Sequence, residues 1–116
     1  MRLIVAGGRD FKDMQRACAI LDHVVSKQTG EITVVCGMAR GADAIGYAWA
    51  KARGYKIAEF PADWNTHGKS AGYKRNKQMA EYATHCVCFW DGLSRGTKHM
   101  IDLCEHYSLP LKVYSY

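Results

Sequence analysis

No stretch of this sequence approaches the roughly 20 consecutive apolar residues that a helix needs to span a bilayer, and the apolar opening from Met1 to Ala6 is too short for a signal-peptide core. The protein is therefore expected in the cytosol. Its five cysteines (Cys18, Cys36, Cys86, Cys88, Cys104) include no Cys-x-x-Cys pair. An odd count among apolar neighbours marks them as reduced, buried thiols rather than disulfide partners or metal ligands. No Asp-x-Asp or His-x-x-x-His spacing occurs and the five histidines are scattered, so no metal set is read. Internal repeats, low-complexity tracts and linkers are missing too, which leaves 116 residues to form one domain with a real core. We take residues 1–116 as a single unit.

Short apolar runs alternate with segments of helical spacing. Arg2 to Ala6 reads as a strand, and Met14, Ala17, Cys18, Leu21, Val24 and Val25 recur at helical spacing up to a stop at Gly30. The pattern repeats as a strand at 32–36 and a helix carrying Ala42, Ile45, Ala48, Trp49 and Ala52 on one face, ending at Gly54. A third strand spans 56–60, and a long connection at 61–72 leads into a helix through Tyr73, Asn76, Met79, Ala80 and Ala83. A fourth strand at 85–90, a helix at 96–107 and a last strand at 111–114 complete the chain. Strands that are apolar throughout and separated by helices imply a mostly parallel sheet of about five strands, covered on both faces. The class is α/β, a three-layer Rossmann-like domain.

In such a sheet, ligands bind beyond the carboxyl ends of the strands, where the strand order reverses. Four clusters fall at that end. Gly7, Gly8, Arg9 and Asp10 follow the first strand, where glycines permit a tight turn and Arg9 offers a forked donor. A structural turn with a surface ion pair would look the same. Gly37, Arg40, Gly41 and Asp43 follow the second strand in a Gly-x-x-x-Gly spacing that exposes amides at a helix start, although Asp43 could equally cap that helix. This is not the Gly-x-Gly-x-x-Gly fingerprint, so ordinary NAD redox chemistry is not supported.

The long connection holds Asp63, Trp64, His67, Gly68 and Lys69, and its helix opens on Arg75 and Asn76. Gly68-Lys69-Ser70 lacks the glycine a phosphate-binding loop requires five positions earlier, where Asp63 stands. Trp64 could stack on a base or pack as a lid, and His67 could polarise a ligand hydroxyl or sit in solvent. Trp90, Asp91, Ser94, Arg95, Gly96 and Thr97 form the fourth cluster, suited to a phosphate or ribose, with helix capping as the plainer role for Ser94 and Thr97. The net charge of +5 favours an anionic partner, and Lys69, Lys74, Arg75 and Lys77 concentrate it.

Read in order, G-G-R-D-F at 7–11, G-x-x-x-G-A-D at 37–43, F-P-A-D-W at 60–64, H-G-K-x-A-G at 67–72, R-N-x-x-M at 75–79 and W-D-G-x-S-R-G-T at 90–97 resemble the SLOG superfamily, nearest its YspA, cpYpsA-related branch of phages and bacteria. The resemblance implies a Rossmann-like domain that binds nucleotides, nucleotide derivatives or, in the DprA relatives, single-stranded DNA. If phage-encoded, the chain would work in the bacterial host cytoplasm. Relatives similar to the LOG phosphoribohydrolases carry P-G-G-x-G-T-x-x-E, with the glutamate acting on the ribose. Met100 occupies that glutamate position here, on an apolar helical stripe with Ile101, Leu103 and Cys104, which argues against that hydrolase activity.

The leading expectation is binding of a nucleotide or nucleotide derivative, sensed or sequestered, with magnesium able to arrive on its phosphates. Glycine amides at 37, 41 and 96 with Arg9, Arg40, Arg75 and Arg95 would take phosphates, and Trp64 or Trp90 a base. The alternative is hydrolysis of an N-glycosidic or phosphate bond with Asp10, Asp63, His67 or Asp91 as acid or base. A third is single-stranded nucleic-acid binding through residues 69–77. Tyr82, Tyr107, Tyr114 and Tyr116 exceed what a small core needs, and with the habits of the superfamily they point to a homodimer or higher homo-oligomer.

Overall fold

A computed structural model describes residues 1–116. Five strands, β1 (Arg2–Gly7), β2 (Thr33–Cys36), β3 (Lys56–Glu59), β4 (His85–Trp90) and β5 (Leu111–Ser115), form one sheet in the order β3-β2-β1-β4-β5. Every neighbouring pair is parallel. The helices are α1 (Met14–Ser26), α2 (Ala42–Arg53), the short α3 (Trp64–His67), α4 (Ala71–Tyr82) and α5 (Arg95–His106). This is the Rossmann-like α/β fold expected from the pattern of apolar runs. None of the helices is long and apolar enough to cross a membrane.

Alternation along the central strands divides the core into two layers, because successive side chains of a strand point to opposite faces. Leu3, Val5, Val87 and Phe89 face α1 and α2, meeting Leu21, Ile45 and Trp49. Ile4, Ala6, Cys86 and Cys88 face α4 and α5, meeting Met79, Met100, Ile101 and Cys104. Burying each of the larger apolar side chains stabilises the fold by about 1.5–3 kcal/mol. The edge strands β3 and β5 are only half-buried and carry Lys56, Glu59 and Lys112, charges that discourage further strand addition.

Two expectations shift. The core face of α2 is Ala42, Ile45, Gly46, Trp49 and Ala50, whereas Ala48 and Ala52 are exposed. Gly46 takes the inner position because the helix lies so close to β1 that a Cβ there would sit 2.7 Å from the Val5 Cβ. The connection at 61–72 is not an open loop. Asp63 caps α3 by accepting from the Thr66 amide at 3.1 Å, a short 3-10 turn follows, and α4 begins at Ala71. Of the tyrosines behind the homodimer expectation, Tyr114 packs on Phe89, Tyr116 on Phe11, Tyr82 on Phe60 and Tyr107 on His106, while Tyr82 and Tyr116 stay 39% and 40% exposed.

Ala in place of Gly46 must displace Val5 or lift α2 from the sheet. We expect Gly46→Ala to lower stability by about 1–3 kcal/mol, seen as a lower urea midpoint at unchanged slope. A midpoint equal to the parent's would show that α2 and β1 are less closely apposed.

Candidate functional site

The strand order reverses between β1 and β4, so the loops after these strands diverge and leave a crevice of about 770 Å³ at the carboxyl edge of the sheet. Its walls come from the β1 loop (Gly7, Gly8, Arg9, Asp10), the β2 loop (Ala39, Arg40, Asp43), the start of α4 (Tyr73, Arg75, Asn76) and the β4 loop with the start of α5 (Asp91, Ser94, Gly96, Thr97). A smaller recess of about 390 Å³ opens beside it, lined by Gly37, Met38, Pro61, Ala62 and Trp64 and sharing Arg9, Ala39, Arg40 and Arg75 with the crevice.

Backbone contacts fix the relative position of the loops. The Gly8 amide donates to the Phe89 carbonyl at 3.1 Å, and the Gly8 carbonyl accepts from the Ala42 amide at 3.1 Å and the Phe11 amide at 3.3 Å. Gly41 has φ 77°, and a Cβ there would lie 2.6 Å from the Arg9 backbone. Only glycine permits both that conformation and that approach. Gly41 precedes α2 without a side-chain cap, whereas α1 is capped by Asp13 and α5 by Ser94.

Arg9 and Arg40 project from exposed loop positions, while Arg75 is buried. The Arg75 Nε donates to Asn76 Oδ1 at 3.0 Å and its Nη1 donates to the Gly37 carbonyl, so α4 clips the β2 loop. Asp43, 7% exposed, accepts from the Ala39 amide at 3.2 Å instead of capping its own helix. Burial pushes its carboxyl up to about 6 against the pull of Arg75, the Ala39 hydrogen bond and Arg9. Asp91 is the opposite case: amides of Leu93 and Ser94, each 2.8 Å from its Oδ1, hold it below the usual carboxylate value. Asp10 accepts from the Tyr116 hydroxyl at 2.6 Å, which closes the far end of the chain over the first loop.

Several residues singled out in the sequence lie elsewhere. Asp63 caps α3, His67 is exposed with Nδ1 3.3 Å from Lys74 Nζ, and Lys69 is exposed on the 3-10 turn. Trp90 is half-buried against the core and donates to the Ser94 carbonyl at 3.1 Å, and neither it nor the exposed Arg95 lines the crevice. Two polar lining residues, Lys12 and Tyr73, were not foreseen, nor were the apolar Ala6 and Ala39. Lys12 lies two positions past Asp10, and Tyr73 follows Gly72 in the first turn of α4, so nearness to the motifs was the available signal. Met100 lines the floor yet is 1% exposed and packed with Met79 and Cys104. A thioether there offers no proton to a ribose.

The Asp43 carboxyl makes a signed prediction. Its folded value lies above the ordinary 3.8, so the folded protein holds this proton more tightly than the unfolded chain does. Its destabilisation is absent below about pH 4 and complete above about pH 6, reaching about 3 kcal/mol from roughly two pH units. Across that window the unfolding free energy of the parent should fall relative to Asp43→Asn as pH rises. Parallel curves in urea titrations at a series of pH values would mean that Asp43 ionises normally.

Comparisons with known proteins agree with this architecture. The chain matches the model of the YspA, cpYpsA-related SLOG family over residues 1–67. Gene 61 protein of Mycobacterium phage D29 is 33% identical over 116 residues, an alignment taking in 95% of this chain and 93% of that protein. Among solved structures, DNA processing protein A from Helicobacter pylori, studied for its single-stranded DNA binding mode, is similar at a TM-score of 0.75 and 17% identity over 97% of this chain. The chain spans 64% of that protein's length, and the likeness is one of fold. Matched by the family model over more than half its length and by a phage protein over 95% of it, the chain belongs to the YspA, cpYpsA-related SLOG family.

Proposed function

We propose that residues 1–116 act as one domain that binds a phosphorylated nucleotide or nucleotide derivative in the crevice between the β1 and β4 loops, as a sensor or a sequestering protein. The observation that carries this reading is the convergence of Arg9, Arg40 and Arg75, from three different parts of the chain, at the carboxyl edge of a parallel sheet. Guanidinium groups bind phosphate oxygens in a fork, and backbone amides at an uncapped helix start add partial positive charge. Asp10, Asp43 and Asp91 share the crevice and accept hydrogen bonds, which suits ribose hydroxyls.

A second reading is single-stranded nucleic-acid binding. It is favoured by the fold likeness to DNA processing protein A and by Trp64, 52% exposed, followed in the chain by the exposed Lys69, Lys74 and Lys77. Bases would stack on the indole while lysines follow the backbone.

Denaturing the purified protein and identifying what it releases by mass spectrometry separates the two. A nucleotide-derived compound retained by the parent and lost from Arg9→Ala/Arg40→Ala supports the crevice reading. In titrations with that compound, each single substitution is expected to weaken binding about tenfold, corresponding to about 1.4 kcal/mol for a charge-assisted contact. Release of a cleaved product would add turnover to binding. No released compound, with tight binding of a single-stranded oligonucleotide that weakens steeply with salt, would replace the first reading with the second.

A further inference from the structure

We propose that the crevice and the adjoining recess hold a single two-armed ligand, a nucleoside diphosphate esterified to a sugar, with its base over Trp64, its diphosphate at the shared arginines and its sugar in the crevice. This rests on the nucleotide-binding reading above.

The two compartments differ in chemistry. The recess has no carboxylate; apart from arginines and backbone it presents Met38, Pro61, Ala62 and the Trp64 ring. A flat aromatic base suits that surface. The crevice carries Asp10, Asp43 and Asp91, acceptors that attract hydroxyls and repel phosphate oxygens. Lys12 lines the crevice too, but three carboxylates make its interior less favourable to an anion than the boundary it shares with the recess. At that boundary stand Arg9, Arg40 and Arg75, each of which lines both compartments.

Local packing supports this division. Gly72, in the first turn of α4, has no side chain between the Trp64 ring and the Arg75 guanidinium. A Cβ there would lie 3.6 Å from Trp64 Cη2 and 3.8 Å from Arg75 Nη2. The indole and the guanidinium thus flank the same bare glycine, at the junction where a base would pass into its phosphates. A mononucleotide with its phosphate at the arginines fills one compartment and leaves the other, of about 390 or about 770 Å³, to water. A second arm on the far phosphate uses both.

Calorimetric titration with a matched set tests the proposal: AMP, ADP and ADP-ribose; UMP, UDP and UDP-glucose; GMP, GDP and GDP-mannose. For the preferred base, the diphosphate sugar is expected to bind at least tenfold more tightly than its diphosphate. Trp64→Ala, at an exposed position, should weaken both roughly tenfold to hundredfold through loss of base stacking. Asp10→Asn should weaken the diphosphate sugar more than the diphosphate, shrinking the gain that the sugar gives. If the nucleotides bind but the sugar adds nothing, or Trp64→Ala changes none of them, the two-armed ligand is wrong and the crevice reading stands. If no member of the set binds the parent protein, the nucleotide reading itself fails and the inference falls with it.

Discussion

The site depends on one close approach of bare backbone, where the loop after β1 passes beneath the start of α2. Gly8 accepts from the Ala42 amide, and Gly41 lies where any side chain would strike the Arg9 backbone. Two strand-end loops are thereby locked to each other, and through Phe89 to a third. Arg9 and Arg40 sit at the ends of this lock, so their separation is set by hydrogen-bonded main chain and not by flexible packing. Preorganisation of this kind lowers the entropic cost of gathering like charges around one anion.

Gathering three arginines in so small a volume is unfavourable without a ligand, and the crevice offsets it with Asp10, Asp43 and Asp91. These carboxylates are not equivalent. Asp91 is spent on the amides of its own turn, Asp10 on Tyr116, and Asp43 is buried beside Arg75 where its charge is costly. The same surface thus contains one acid held below the usual carboxylate value and one pushed up to about 6. Environment alone separates them, as residue type is the same.

Most of the fold was legible because strands such as Ile4 to Ala6 and Cys86 to Phe89 are buried on both faces and read as continuous apolar runs. Element ends were legible to within a few residues, since Gly54 and Pro110 are strong punctuation. Spacing failed within α2, where it put Ala48 and Ala52 on the inner face and passed over Gly46, because close approach to Val5 selects the smallest residue where a pattern search expects an apolar one. Strand-end motifs led to most of the crevice. They also drew in Asp63, Trp90 and Arg95, which share the motifs but point to a helix cap, the core and solvent. Which way a loop residue faces is decided by contacts 38 to 106 positions away, such as Arg75 on Gly37 and Tyr116 on Asp10, and no local window contains them.

The placement of β1 at the centre of the sheet carries a consequence for biosynthesis. Its first partner, β2, follows within 30 residues, but its second, β4, ends only at Trp90. While the ribosome makes the intervening segment, at about 5–20 residues per second, one flank of β1 has no strand to pair with. For a few seconds the central strand of the finished protein is an open edge, with its amides and carbonyls available to any neighbouring chain. Emergence of the segment around Val87 ends that interval, so any delay before that segment leaves the ribosome lengthens the exposure of β1 to aggregation.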